Sequence, residues 1–367
     1  MTTVFFAGGG TGGHLMPALA IADAMVRLDP SVRPFFIGGL RGIEANVLPQ
    51  RPWPHELLPL QPIRRRQWWK NVVLPFSLFR AARRVRALVA RHRPALIVGT
   101  GGYVAGPAVW AAVRAGVPGI LQEQNAFPGI ATRRLAGKVL QIHLGFPEAR
   151  GYLRPGPRTE ILDSGNPIQP PPVPRPDRRK AKLELGFEPE RPLVLVVGGS
   201  QGALPINLAV EGALATGGWP DSAQLLWQAG EATVARFAHR DDGRRIRVRG
   251  FIDPVAEAYA AADLVVGRAG AMTIAELSAW GLPSILIPLP TAAAGHQLVN
   301  ARAHAQAGAG TLLEQRSLSS ESLAGAVRKL LDEPATLAER SLAALARAHP
   351  EAARNIAEKA LEILAAR

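Results

Sequence analysis

VFFAGGGTGG, Val4–Gly13, and VLVVGGSQGA, Val194–Ala203, are two versions of one pattern, an apolar run that empties into glycines. Val and Phe at this density predict a strand buried on both faces, and the glycines predict a tight turn out of it. A second pair repeats the device: LIVGTGGYVAG, Leu96–Gly106, lines up with LVVGRAGAMTI, Leu264–Ile274. Each member of that pair is followed by Gly-x-Pro-x-Ile-Leu, beginning at Gly116 and at Gly281. Helix-like stretches of Ala, Leu and Arg separate the strands. The pattern predicts an α/β protein of two similar, doubly wound parallel-sheet domains.

Between the halves lies GNPIQPPPVPRP, Gly165–Pro176, too rich in proline for a helix or a central strand. It predicts domains over 1-165 and 166-350. Beyond Pro350, Ile356, Ala360, Ile363 and Leu364 share one helical face, so 351-367 reads as an amphipathic helix packed on the body. The first domain is one place for it to return to. With 47% apolar and 20% charged residues the chain is globular rather than disordered. The absence of cysteine excludes disulfides and thiolate metal sites. The start, MTTVFFAGGG, has no signal-peptide pattern, and no apolar run reaches the ~18 residues of a membrane span, so a cytoplasmic, non-spanning protein is expected.

A net charge of +14 suits nucleic acid, an anionic membrane or a phosphorylated substrate, and arginine-rich coding bias explains part of it. Its distribution says more. From Leu57 through Gln122 there is no acid, while Arg64, Arg65, Arg66, Lys70, Arg80, Arg83, Arg84, Arg86, Arg91, Arg93 and Arg114 all fall inside.

The first loop lacks the Lys-Ser/Thr ending of a P-loop but fits Gly-x-Gly-x-x-Gly through Gly8, Gly10 and Gly13. A dinucleotide site also needs an acid at the end of the second strand. That strand, RPFFIGG, runs from Arg33 to Gly39 and ends without one, which disfavours an NAD-dependent dehydrogenase. No Asp-x-Asp pair occurs and the histidines are scattered, so no metal site is expected. Single glycine loops serve tight turns as often as ligands. Four of them in paired halves favour phosphate held on helix N-termini, each worth about 0.3–1 kcal/mol. Thr273 and Glu276 fall in the first turns of a helix, where the carboxylate either caps the helix or takes both hydroxyls of a ribose. His296, Gln297 and Asn300 head another helix, as sugar-reading groups or as ordinary surface residues.

The combination of GGGTGGH, GTGGYVAGPAVWAA, QEQNAFPG, GNP, VVGGSQGA, FIDPVAEAYAAADLVVGRAGAMTIAEL and HQLVNA resembles the MurG family of peptidoglycan N-acetylglucosaminyltransferases. The motifs stand in order over essentially the whole chain. The resemblance implies a GT-B fold, two Rossmann-like domains facing a cleft. It implies inverting transfer of GlcNAc from UDP-GlcNAc to the muramoyl 4-hydroxyl of lipid I (undecaprenyl-pyrophosphoryl-MurNAc-pentapeptide), forming lipid II without a cofactor. The N-terminal domain would take lipid I at the cytoplasmic face of the bacterial plasma membrane, and the C-terminal domain UDP-GlcNAc. Other cell-wall enzymes are possible partners.

By the same resemblance, Thr11, Gly12 and Gly13 reach the donor, Asn125 contacts the GlcNAc, Ser200 a phosphate and Ile252 the uracil. Ala271, Met272, Thr273, Ile274, Ala275 and Glu276 wrap the nucleotide, with Glu276 on the ribose, and Gln297 reads the sugar. Gly13, Gly101 and Gly102 cradle the acceptor pyrophosphate. Two departures stand out. After GNP the family commonly has Val-Arg, whose arginine contacts the donor; here the residues are Ile168 and Gln169, and Arg268 is a neighbour able to supply the charge. QEQN begins with Gln122 where relatives often show His.

Inverting transfer needs a base for the acceptor proton. His14 is one candidate, since imidazole titrates near neutrality, and a bond to the loop backbone is its other reading. Glu123 is the second candidate. Trp68, Trp69, Leu74, Phe76 and Phe79, set among the bases, predict docking on an anionic leaflet at about 1 kcal/mol per base. RNA binding or plain core packing would use the same residues, although the lipid acceptor favours the membrane over nucleic acid. Three classes stand: the lipid-linked transferase, or another UDP-sugar enzyme of this fold (glycolipid transferase or epimerase); an NAD-dependent dehydrogenase; and a noncatalytic basic RNA or membrane adaptor.

Overall fold

The computed structural model describes residues 1–61, 74–199 and 202–366. They form two units, Met1–Gln169 with His349–Arg367, and Pro170–Ala348.

The first unit holds strands β1 (Thr2–Gly8), β2 (Val32–Gly39), β3 (His55–Leu58), β4 (Leu96–Gly101), β5 (Gly119–Glu123), β6 (Gln141–Leu144) and β7 (Glu160–Leu162). All pair in parallel, in the order β3-β2-β1-β4-β5-β6-β7. Helices α1 (Gly12–Leu28), α2 (Glu44–Val47), α3 (Leu74–His92), α4 (Gly102–Arg114) and α5 (Ile130–Leu135) connect them. The run Val4-Phe5-Phe6-Ala7 lacks polar alternation because the sheet is covered on both faces. Phe5, Ile97 and Leu121 face a core shared with Val85 and Val109, whereas Val4, Phe6 and Val98 face Ile21 and Met25. Register sets Phe5 beside Phe35 and Phe6 beside Phe36, with ring centroids 5.1 and 5.3 Å apart. Burying each such side chain contributes about 1.5–3 kcal/mol.

The second unit repeats the plan with β8 (Leu193–Val197), β9 (Gln224–Gln228), β10 (Ile246–Arg249), β11 (Leu264–Gly267), β12 (Ser284–Leu286) and β13 (Gly310–Leu312). Their order is β10-β9-β8-β11-β12-β13, again parallel. Its helices are α6 (Arg178–Glu184), α7 (Leu204–Ala215), α8 (Val234–Phe237), α9 (Val255–Ala261), α10 (Ala271–Trp280), α11 (His296–Gln306), α12 (Ser320–Leu331) and α13 (Pro334–Ala346). Val196, Trp227 and Val266 pack with Ile206 and Val210 of α7 and with Leu323 and Val327 of α12. The buried Trp227 Nε1 donates to Asn207 Oδ1 at 2.9 Å, so the indole enters the core with its polar atom satisfied.

The chain then returns to the first unit as α14 (Ala352–Ala365). Ile356, Ala357 and Ala360 are buried in the core of Ile21 and Met25, with Ile363 and Leu364 partly buried at its margin.

In each sheet the strand order reverses beside the unit's first strand in chain order, between β1 and β4 and between β8 and β11. Ligands of such sheets gather at the carboxyl ends of those strands. These are the four glycine loops with which the sequence opens.

Candidate functional site

In the first unit the loop from β1 enters α1 at Thr11, whose carbonyl accepts from the His14 and Leu15 amides. Thr11 Oγ1 and His14 Nδ1 lie 3.0 Å apart, so the hydroxyl fixes the imidazole. Thr100 Oγ1 donates to the His14 carbonyl at 2.7 Å, tying β4 to the first turn of α1. The loop after β4 turns through Gly101 and Gly102, at φ 97° and 79°. A Cβ on Gly102 would run into the Gly9 carbonyl, and one on Gly101 would lie 2.7 Å from the His14 ring. Glycine is required here because the two loops touch. Gly12 and Gly13 form the half-buried start of α1, and neither α1 nor α4 has a side-chain cap.

Glu123 ends β5, buried, and organises the segment that follows. Its Oε1 accepts from the Asn125 amide at 3.1 Å and from Asn125 Nδ2 at 3.3 Å. Its Oε2 accepts from Gly129 N at 3.0 Å and Thr132 Oγ1 at 2.6 Å, which anchors the start of α5. Gln122, the departure in QEQN, donates to Asn166 Oδ1 at 2.9 Å. Asn166 donates to the Gln124 carbonyl at 3.0 Å. Gln124 donates to the Thr100 carbonyl at 2.6 Å and also to Gln122 Oε1. A buried amide network thus runs from the GNP motif to Thr100 of β4, whose hydroxyl bonds the His14 carbonyl.

In the second unit the loop after β8 reaches Gly199; Ser200 lies outside the described residues. Gln228, buried at the end of β9, donates to the Gly199 carbonyl at 3.1 Å and accepts from the Ile252 amide at 3.0 Å. Gln228 therefore clamps the loops that carry Ser200 and Ile252. Past β11, Arg268 donates to the carbonyls of Ile287 at 3.0 Å and Pro288 at 3.3 Å, and burial lowers its pKa. Asn300 Nδ2 donates to the Ala269 carbonyl at 3.3 Å, and Gln297 Oε1 accepts from Leu289 N at 2.9 Å, so the head of α11 braces this rim.

Along α10, Ala271 and Ile274 are buried, while Met272, Thr273, Ala275 and Glu276 are half-buried. The helix has no side-chain cap. Instead of capping, Glu276 Oε2 accepts from Tyr259 Oη at 3.0 Å. Burial raises the Glu276 pKa and the Tyr259 bond opposes that rise; burial and the Glu276 charge push the Tyr259 phenol well above its ordinary value. α7 likewise has no side-chain cap among the described residues. Tyr259 and Gln228 were not singled out from sequence. Tyr259 sits inside the quoted FIDPVAEAYAAADL stretch, whereas Gln228 is the last residue of a strand that carries no glycine motif.

Of the expected surface patch, Trp68 and Trp69 lie outside the described residues and Leu74 opens α3. Phe76 and Phe79 are 60% and 65% exposed, on the side of α3 that also shows Arg80, Arg83 and Arg86. Ala81, Val85 and Leu88 turn to the core. No described helix is long and apolar enough to cross a membrane.

This pair of sheets, with its glycine loops at both reversal points, is matched by known proteins. Residues 4–144 match the glycosyltransferase family 28 N-terminal domain and residues 193–357 its C-terminal domain. The chain belongs to glycosyltransferase family 28. It is 40% identical to the UDP-N-acetylglucosamine--N-acetylmuramyl-(pentapeptide) pyrophosphoryl-undecaprenol N-acetylglucosamine transferase of Chlorobium luteolum, over 90% of each chain. The transferase of the same name from Moorella thermoacetica is also 40% identical, over 89% of this chain and 90% of its own. The crystal structure of Acinetobacter baumannii MurG superposes with a TM-score of 0.79 at 26% identity, covering 98% of this chain and 99% of that one. Within family 28, then, the chain belongs with the MurG N-acetylglucosaminyltransferases. S. aureus MnaA, solved with UDP, shares the fold at a TM-score of 0.66 and 13% identity, covering 99% and 98% of the two chains.

Proposed function

We propose that this chain transfers N-acetylglucosamine from UDP-N-acetylglucosamine to the muramoyl 4-hydroxyl of lipid I, with inversion, to form lipid II. The observation that carries the reading is the pair of glycine loops at the strand-order reversal of each sheet, in a chain 40% identical to transferases of that name.

The second unit takes the donor. The N-terminal amides of α7 and α10, with Ser200, meet the diphosphate, Glu276 the ribose hydroxyls, Ile252 the uracil, and Gln297 with Asn125 the GlcNAc. Arg268 adds positive charge, and Thr11, Gly12 and Gly13 complete the donor contacts. Gly13, Gly101 and Gly102 take the acceptor pyrophosphate. The acceptor oxygen attacks the anomeric carbon, the bond from that carbon to the β-phosphate oxygen breaks, and the electron pair leaves on UDP. Helix N-termini aimed at the leaving diphosphate stabilise the charge that develops there.

The acceptor proton passes to His14. With the imidazole proton on Nδ1 and donated to Thr11 Oγ1, Nε2 is the basic nitrogen. His14 is favoured over Glu123, whose oxygens already accept from Asn125, Gly129 and Thr132. Phe76 and Phe79, with Trp68 and Trp69, hold the first unit on the anionic cytoplasmic membrane surface, where lipid I resides.

The test is turnover. Purified protein with UDP-GlcNAc and lipid I in vesicles should form lipid II, and UDP-GlcNAc should raise the melting temperature more than UDP-glucose or NAD. Absence of lipid II with both substrates present overturns the reading.

A further inference from the structure

We propose that Glu44 is a positioning residue that sets the angle at which the first glycine loop presents Thr11, His14 and the start of α1; the inference rests on the reading of that loop as part of the transfer site. The strand β2 ends without an acid, yet an acid reaches its end from α2. Glu44 is fully buried. Its Oε1 accepts from Gly39 N at 2.9 Å and its Oε2 from Gly10 N at 2.8 Å. The carboxylate therefore joins the end of β2 to the loop after β1.

The glycines around it make the room. A Cβ on Gly9 or Gly42 would run into the carboxylate, and a Cβ on Gly38 would lie 2.7 Å from its Cγ. Tyr103, the second residue of α4, sets its ring 2.9 Å from where a Gly10 Cβ would be. A Cβ on Gly39 would meet both the Tyr103 hydroxyl and Glu44 Oε1, so the start of α4 lies beside the same carboxylate, and burial, then the charge of Glu44, raises the pKa of the Tyr103 phenol. One buried carboxylate thus ties the loop after β1 to the end of β2, with the Tyr103 ring packed beside it. Gly10, held at φ 93°, turns its N–H inward to Glu44, and the next residue is Thr11, the partner of His14.

A dinucleotide-binding domain uses the acid at this strand end on a ribose. Here the acid is spent on the protein's own backbone. Charge-assisted bonds to backbone N–H groups are short and strong, which suits a brace. It also separates the labour of the loop's amides: Gly10 N–H serves the brace, whereas no side chain caps the first turn of α1.

Glu44→Gln in the full chain tests the inference. The side chain keeps its shape but replaces one acceptor by an NH2 group facing a backbone N–H. The kcat for lipid I should fall about 10–100-fold, because small displacements of reacting groups are costly. The UDP-GlcNAc dissociation constant should rise by less than kcat falls, since only the contacts from Thr11, Gly12 and Gly13 move while those of the second unit remain. The His14 ring signals in NMR should shift, and the Gly10 and Gly39 amides should lose protection from hydrogen exchange. A folded E44Q with wild-type kcat and unmoved His14 signals overturns the inference. If the wild type makes no lipid II while E44Q still moves His14, the substrate reading falls and the positioning role stands. Should E44Q not fold, wild-type Gly10 and Gly39 amides exchanging as fast as an open loop would overturn it.

Discussion

Replacing Tyr259 by Phe removes one atom from the second unit, which otherwise keeps its packing. Tyr259 is 4% exposed and its ring lies 6.2 Å from that of Trp280, so Phe fills the same space. What disappears is the 3.0 Å bond from the phenol to Glu276 Oε2. A hydrogen bond to a charged group contributes about 1.5–3 kcal/mol, and water entering beside the half-buried Glu276 recovers part of it. A net loss of about 1 kcal/mol, or roughly fivefold in UDP affinity, is expected at neutral pH. The pH dependence is more telling. Burial raises the Glu276 pKa above its ordinary 4.5, and the Tyr259 bond lowers it. In the proposed donor site the ribose is held by the carboxylate, so affinity should fall as pH drops through the raised value. Without the phenol that fall begins at higher pH. The contribution of Glu276 to folding has the opposite sense: it is full below 4.5 and lost as pH rises through the folded pKa. Calorimetric titration of UDP into both proteins between pH 5 and 8 reads the shift. Superimposable affinity profiles would refute the orienting role of Tyr259.

Gly102→Ala should cost at least about 1–3 kcal/mol, from positive φ and collision with the Gly9 carbonyl, and should lower lipid II formation; urea denaturation and turnover measure the two effects. Trp68→Ser with Trp69→Ser should reduce sedimentation with anionic vesicles while leaving UDP-GlcNAc binding intact, and full retention on vesicles would return those residues to the core. Burial, then the Lys359 charge, holds His143 at about 4 against 6.5, so its contribution to stability is full above 6.5 and is lost as pH falls towards 4. Between pH 7 and 5 the first unit should lose roughly 2 kcal/mol on this account. His143→Gln should therefore show a smaller drop in urea midpoint over that interval, and an equal drop would count against it.

The two-sheet plan is legible in the residues because parallel strands buried on both faces leave unbroken apolar runs, and their turns leave glycine. Both signals are local. The bracing groups are not. Glu44 lies five residues beyond the end of β2, past the place where an acid is ordinarily sought, and only folding brings it to Gly10. Gln228 acts through two hydrogen bonds and Tyr259 through one, all to residues distant in sequence. Glu123, readable as a reactive carboxylate, is tied down by Asn125, Gly129 and Thr132, whose proximity to it is set by one loop's path. The helical face of α14 is plain from its spacing, but its partner could not be: an apolar stripe names no address, and the matching surface on α1 lies more than 300 residues earlier.

That address has a consequence for biosynthesis. The core of Ile21 and Met25 is finished by Ile356, Ala357 and Ala360, which leave the ribosome only after the whole second unit has been made. Domains emerging from the ribosome ordinarily fold in order, the first-made first. Here the later unit can close on residues 170–348 while the earlier one still shows an uncovered apolar face on α1. Throughout that interval the nascent chain carries an exposed apolar surface, which α14 then seals.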